Sequence, residues 1–351
     1  MTRSPDDPIT RSTDPLLSVR DLRVELPIAG HWRPAVAGVS FDLAAGESLA
    51  VVGESGCGKT LLGRALINLP PEGARLTGQV RLRGRDLLGA PDRAWEEIRG
   101  REIGMVFQEP AAALDPVQTI GSQIIEAVRL HRPASVGEAR RIAAQLLAEV
   151  SFPDPERGLR EYAHRLSGGM RQRAFLAIAL AADPAILIAD EPTSSLDATV
   201  SAQVMELFGR LRSRRRLALV LITHDLGSVA RHSDRVIVLY AGKVAEEAAT
   251  ERLFREPRHP YTRGLLACIP RIPDRAAPDG RYPVIAGMVP DLAFRPAGVC
   301  AFAPRCPDRF SPCEASEPLL YAAGENKARC FLYEPAASGR SATVERPGAR
   351  T

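Results

Sequence analysis

The stretch Leu49-Ala50-Val51-Val52-Gly53-Glu54-Ser55-Gly56-Cys57-Gly58-Lys59-Thr60 decides the fold. Leu49 to Val52 is an apolar run that reads as a buried strand, and Leu61 to Leu69 reads as a helix. Between them the chain matches G-x-x-x-x-G-K-[ST], in the strand–loop–helix setting that the pattern requires. The glycines at 53, 56 and 58 leave backbone N–H groups free to wrap a polyphosphate, which bulky side chains would block. The helix beginning at Lys59 points its positive end at the same anion. Gly53, Glu54, Ser55, Gly56, Cys57, Gly58, Lys59 and Thr60 are therefore the candidate phosphate-binding residues. Lys59 would carry its charge to the β- and γ-phosphates, and the Thr60 hydroxyl suits Mg²⁺. A Gly-rich turn at a helix start is the bland alternative, and the remainder of the chain argues against it.

Further along, Ile186-Leu187-Ile188-Ala189 is a second buried strand, and it ends in Asp190 and Glu191. Asp190 at the strand tip suits a Mg²⁺-bound water, and Glu191 is the natural general base. Alone, such a pair is commonly a helix N-terminus; a preceding phosphate loop makes it chemical. Gln108 is an amide able to touch both Mg²⁺ and an attacking water. His224 ends a strand from which its imidazole could reach a γ-phosphate. Leu166-Ser167-Gly168-Gly169-Met170 leads into a helix, Arg171 to Ala181, with Ser167 as its N-cap. Its glycines leave N–H groups bare, so it is a second anion cradle, and a second molecule closing on the first one's nucleotide would give it a purpose. Ser195-Leu196-Asp197 completes the ordered set.

Composition agrees with a globular, two-domain protein: 351 residues, 45% hydrophobic and 25% charged. The net charge of +4 is scattered, mostly on arginine, which gives no footprint for nucleic acid. The densest basic run, Arg212 to Arg216, suits the C-terminus of a helix. No stretch approaches the roughly 20 apolar residues of a membrane span, and the N-terminus lacks the apolar core of a signal peptide. Alternating patterns at Leu17–Leu26 and Ala37–Leu43 predict antiparallel strands. Ile120–Leu130 and Glu138–Val150 predict helices; Ala185–Ala189, Leu217–Thr223 and Arg235–Tyr240 predict strands. This rhythm is that of a mostly parallel, covered sheet.

The ordered motifs resemble the ATP-binding subunits of ABC transporters, over about residues 17 to 250. The resemblance implies an α/β fold: a P-loop, RecA-like ATPase core with an antiparallel β-subdomain and a helical subdomain at about 109–181. It makes residues 53–60 Walker A, Gln108 the Q-loop, 166–170 the signature and 186–190 Walker B. Ser195–Asp197 becomes the D-loop and His224 the switch histidine. Two subunits would clamp two ATP head to tail, with Glu191, Gln108 and His224 catalytic and Ser167, Gly168, Gly169 and Asp197 facing the partner's ATP. Mg²⁺ would sit on Thr60, Gln108 and Asp190. Trp32 is the best candidate to stack on adenine.

Phe107-Gln108-Glu109-Pro110, Ala113-Leu114-Asp115-Pro116, Thr119-Ile120-Gly121, His259-Pro260-Tyr261-Thr262 with Leu265-Leu266, and Pro304-Arg305-Cys306-Pro307 narrow the resemblance. They look like the oligopeptide and dipeptide permease subunits. The implied division is a tail at 1–15, an ATP-binding domain at 16–250, a small Cys-containing C-terminal domain at 251–334 and a tail at 335–351. The implied protein is the ATPase of a peptide importer, peripheral on the cytoplasmic face of the membrane. Its implied partners are a second, distinct ATPase subunit, two transmembrane permease subunits and an extracytoplasmic substrate-binding protein. Nickel chelates, glutathione or sugars are alternative cargoes, and a soluble non-transport ABC ATPase is the alternative class.

Cys300, Cys306, Cys313 and Cys330 fall in the extension. Their spacing fits no common zinc-finger pattern. Four thiolates on irregular loops suit a [4Fe–4S] cluster, as is thought of some relatives with this extension, while zinc and free thiols stay open. Cys57, at a helix N-terminus, reads either as a reactive thiol whose alkylation blocks ATP hydrolysis or as a small residue tolerated in the loop. Cys268, in an apolar helical run, is expected in the core.

Overall fold

The computed structural model describes residues 14–269 and 283–335. The tails expected at 1–15 and 335–351 lie almost entirely outside them. The strands, in chain order, are β1 Leu17–Ile28, β2 His31–Leu43, β3 Ser48–Val52, β4 Arg75–Leu82, β5 Arg85–Asp86 and β6 Ile103–Val106. They continue with β7 Ile186–Asp190, β8 Ala218–Ile222, β9 Arg235–Tyr240, β10 Lys243–Ala249, β11 Tyr321–Ala323 and β12 Asn326–Ala328.

β1 and β2 alternate buried and exposed residues and form a hairpin closed by Ala29 and Gly30, both at positive φ. Two such residues suit the twist of an antiparallel pair. With β4 and β5 they make an antiparallel sheet in the order β2-β1-β4-β5. The larger sheet runs β11-β12-β10-β9-β3-β8-β7-β6. From β9 to β6 its pairings are parallel, and β3, β6, β7 and β8 are buried at every residue. That is the pattern of strands covered on both faces. Helices Ile120–His131, Val136–Glu149 and Gly168–Ala179 pack as a group beside the β6–β7 edge. Among the described residues no helix is long and apolar enough to cross a membrane.

The extension joins the central sheet: β12 pairs antiparallel with β10, placing Glu246 opposite Ala328. Its aromatic residues enter the core as well. Tyr261 and Phe302 share a buried cluster with Ala50, Val52, Val236 and Val238. The Tyr240 ring meets Tyr261 at 4.7 Å and Phe302 at 5.1 Å between centroids. Glu246 is fully buried and accepts from the N–H groups of Arg258 (2.9 Å) and His259 (2.8 Å) and from Asn326 Nδ2 (3.0 Å). Those three bonds replace the water that a buried carboxylate loses. Cys268 departs from expectation: it caps the amphipathic helix Pro260–Ala267 and is exposed.

His259 is buried in this seam, and its Nδ1 accepts from the N–H of Tyr261 at 3.0 Å. Burial lowers the imidazole to about 4; a backbone hydrogen bond at Arg329 opposes this, and the Arg263 charge adds to it. The unfolded chain takes up this proton near pH 6.5, so the folded state loses stability as pH falls from 6.5 toward 4. The loss should reach roughly 2 kcal/mol at pH 5. Melting curves at pH 7 and pH 5 check it: His259→Asn should show a smaller acid shift than the wild type. Equal shifts would mean that other groups carry the acid sensitivity.

Candidate nucleotide site

The parallel strands end at one edge of the sheet, and their registers align the loops that leave it. Val106 on β6 lies beside Ala189 on β7, and Asp190 lies beside Ile222 on β8. The loops carrying Gln108, Glu191 and His224 therefore leave the same edge, with the loop after β3 joining them through the β3–β8 pairing. Open α/β sheets bind ligands at this carboxyl edge.

The phosphate loop is set by close backbone approach. At Gly53 (φ +153°) a Cβ would lie 2.3 Å from the Leu239 carbonyl oxygen. At Gly58 (φ +107°) it would lie 2.7 Å from that of Ala35. Lys59 is only 6% exposed; its Nζ donates to Gly53 O (2.8 Å) and Glu54 O (3.1 Å) and stands 4.0 Å from Glu191 Oε1. The Thr60 hydroxyl donates to Asp190 Oδ1 at 3.1 Å. Burial raises the Asp190 carboxyl above its ordinary value, and the Thr60 bond opposes that. Thr60 and Asp190 thus present oxygens to one point beside Lys59, a donor set that fits Mg²⁺.

Glu191 is held in the left-handed region, φ +47°, while its N–H donates to Ile222 O at 2.8 Å. Such a backbone costs on the order of 1–3 kcal/mol and is retained where surroundings over-determine it. Its Oε2 contacts His224 Nδ1 at 2.7 Å. The pair opens on a cleft of about 540 Å³ that Ser194 and Asp225 also line. A buried cation, a hydroxyl–carboxylate pair and a carboxylate braced by an imidazole can together orient a polyphosphate and take a proton from water.

Ser167 caps its helix by accepting from the Met170 N–H (3.3 Å), and Asp197 caps the next long helix through Val200 (2.9 Å). Both are exposed. A Cβ on Gly169 would come within 2.6 Å of Val200 Cγ1, so this glycine also lets the two capped helices approach. Trp32 sits near the β1–β2 turn with the Arg75 guanidinium 3.7 Å from its ring centroid, which covers one face.

Cys57 corrects the expectation placed on it. Its side chain is fully buried, and burial raises the thiol above its ordinary value despite Lys59 nearby. A protonated, inaccessible thiol is a packing residue, and fast alkylation is no longer expected. In the extension Cys300 N–H donates to Cys313 O at 3.1 Å, so the loops that carry the four cysteines converge. Burial raises the Cys300 thiol and pushes Cys306 up to about 12 and Cys330 up to about 11. Among the described residues no three His, Cys, Asp or Glu side chains are placed to hold a metal ion. The [4Fe–4S] cluster or zinc expected at Cys300, Cys306, Cys313 and Cys330 thus gains no metal-holding group among the described residues.

Residues that the motifs alone did not assign also reach the loop. Arg305 grips the Glu54 carboxylate, Tyr261 accepts from the Glu54 N–H, and Arg295 donates to Gly56 O. The stretches holding Tyr261 and Arg305 resemble the permease extension, but nothing local connects Tyr261, Arg295 or Arg305 to residues 54 and 56.

Known proteins resemble the chain in sequence and in fold. A family model described as ABC transporter matches residues 36–194, and one described as oligopeptide/dipeptide transporter, C-terminal region, matches 245–313. A Brucella abortus protein named for peptide import and ATP binding is 46% identical over 323 residues, covering 92% of this chain and 96% of its own. The dipeptide transport ATP-binding protein DppD of Bacillus subtilis is 44% identical over 322 residues, covering 91% and 95%. Among solved structures, the cassette MJ0796 as a dimer bound to ADP and Pi matches with TM-score 0.60 and 27% identity, over 67% of this chain and 98% of that one.

Proposed function

The chain belongs to the family of ABC transporter ATP-binding proteins that carry the oligopeptide/dipeptide C-terminal region, and from that premise we propose that it hydrolyses ATP to energise peptide import across a membrane. One observation carries the chemistry: Lys59, the Thr60–Asp190 pair and the Glu191–His224 pair converge at one edge of a parallel sheet. The peptide-import names of full-length relatives favour peptides over nickel chelates, glutathione or sugars as cargo.

In the proposed mechanism Gly53 to Thr60 wrap the phosphates with N–H groups, and Lys59 leaves its carbonyl partners for the γ-phosphate. Thr60, Asp190 and Gln108 would hold Mg²⁺, which when bound neutralises the charge developing on the phosphate oxygens. Glu191 takes the proton of the attacking water, with Gln108 orienting that water and His224 bracing the carboxylate. Trp32 offers its exposed part to the base. Ser167, Gly168, Gly169 and Asp197 would contact ATP held by a second ATPase subunit. Membrane permease subunits on the helical subdomain and an extracytoplasmic binding protein complete the proposed importer. That places the chain on the cytoplasmic face of the membrane.

The test is uptake of labelled di- and oligopeptides by cells with and without the chain. Loss on deletion and recovery with the wild-type gene are expected. Intact peptide uptake beside failed uptake of another solute would replace the peptide reading. What supports the proposed cluster at the four cysteines is the meeting of the loops that carry Cys300 and Cys313. Protein purified without oxygen would need about four iron and four sulfide per chain to establish it.

A further inference from the structure

The nucleotide loop is fastened from outside the cassette at three successive places. The Arg305 guanidinium, whose side chain is 4% exposed, makes a two-pronged contact with Glu54: Nη1 to Oε2 at 2.7 Å and Nη2 to Oε1 at 2.9 Å. Its Nε donates to Ala286 O at 2.8 Å, which holds the fork in line. The backbone N–H of the same Glu54 donates to the Tyr261 hydroxyl at 2.9 Å. Two residues on, Arg295 Nη2 donates to Gly56 O at 2.8 Å. Arg295 Nη1 meanwhile holds Ala35 O (3.2 Å), the atom against which Gly58 is packed.

A planar fork on a carboxylate fixes orientation as well as distance, which a lysine cannot do. The loop is thus held by residues that lie more than 200 positions later in the chain. Loop N–H groups bind phosphate only when they point at a common centre. Turning Glu54 or Gly56 would misdirect them without touching Lys59 or Glu191. Arg305 is also followed directly by Cys306, in the loop cluster that the four cysteines share.

We propose that Arg305, with Tyr261 and Arg295, is a positioning residue that holds the nucleotide loop in its ATP-binding shape, so that the order of the C-terminal extension sets ATP affinity. This rests on the ATP-hydrolysing function above. Coupling between sites is reciprocal, so bound ATP should in turn order the extension.

The test is steady-state hydrolysis of Mg·ATP by the full chain carrying Arg305→Gln, Glu54→Gln or both, with melting curves alongside. Each single change should raise the KM for ATP roughly tenfold, within the usual range of site coupling, and affect kcat less. The double variant should resemble the singles, because the second change removes an interaction already lost. An unchanged KM in a folded Arg305→Gln, or a double effect equal to the product of the singles, overturns the proposal. If Arg305→Gln does not fold, Tyr261→Phe removes one hydroxyl only and should still raise KM; an unchanged KM in both it and Glu54→Gln overturns the proposal. A wild-type chain that hydrolyses no ATP sinks the functional reading and this inference together. Normal wild-type hydrolysis with insensitive variants sinks this inference alone.

Discussion

Glu191→Gln should slow ATP hydrolysis by roughly 10²–10⁴-fold, the ordinary contribution of a positioned general base, while ATP still binds. Glutamine keeps the shape and the oxygen that faces His224 at 2.7 Å, but it cannot accept the proton of water. The left-handed backbone of Glu191 is tied to Ile222, so the substituted side chain should occupy the same place. Loss of the carboxylate also removes the negative charge 4.0 Å from Lys59, which favours retention of the nucleotide. Phosphate release measures the first half and equilibrium binding of a labelled nucleotide the second. A variant that hydrolyses at more than a tenth of the wild-type rate would assign the base elsewhere.

Lys59→Ala should act on the other quantity. Lys59 is nearly buried, and its ammonium is poised on the Gly53 and Glu54 carbonyls at the mouth of the loop. Hydrogen bonds to a charged partner contribute about 1.5–3 kcal/mol each, so losing this one should weaken ATP binding by roughly 10–100-fold. The γ-phosphate also loses the cation that would stabilise it during transfer, so kcat should fall as well. Binding titrations with ATP and ADP read the effect. Equal, wild-type affinities for both would show that Lys59 faces the protein rather than the nucleotide.

Much of the fold is legible because its signals are local. The apolar runs before Gly53 and Asp190 are short, continuous and bounded by turn residues, and both form buried strands. Ser167 precedes a helical run, and it is the cap. Two cysteines show the limit. Cys57 sits at a helix start, which argues for a reactive thiol, yet the sheet behind it removes all solvent. Cys268 follows apolar neighbours, yet it falls on the exposed end of its helix. Neither outcome can be inferred from flanking residues, since burial depends on the segments that pack from elsewhere.

The sequence by itself determined the phosphate loop, the strand ending in two carboxylates, the helix caps and their order along the chain. Each is a backbone preference or a burial periodicity written within about ten residues. Only the tertiary structure decided that the strands leading to Gln108, Glu191 and His224 lie in register, with His224 against Glu191. It alone brought Arg305 to Glu54, 251 residues away, and buried His259 in the seam between the extension and the sheet. Those contacts form because two packed surfaces meet, and a surface assembled from distant segments leaves no pattern in any one of them.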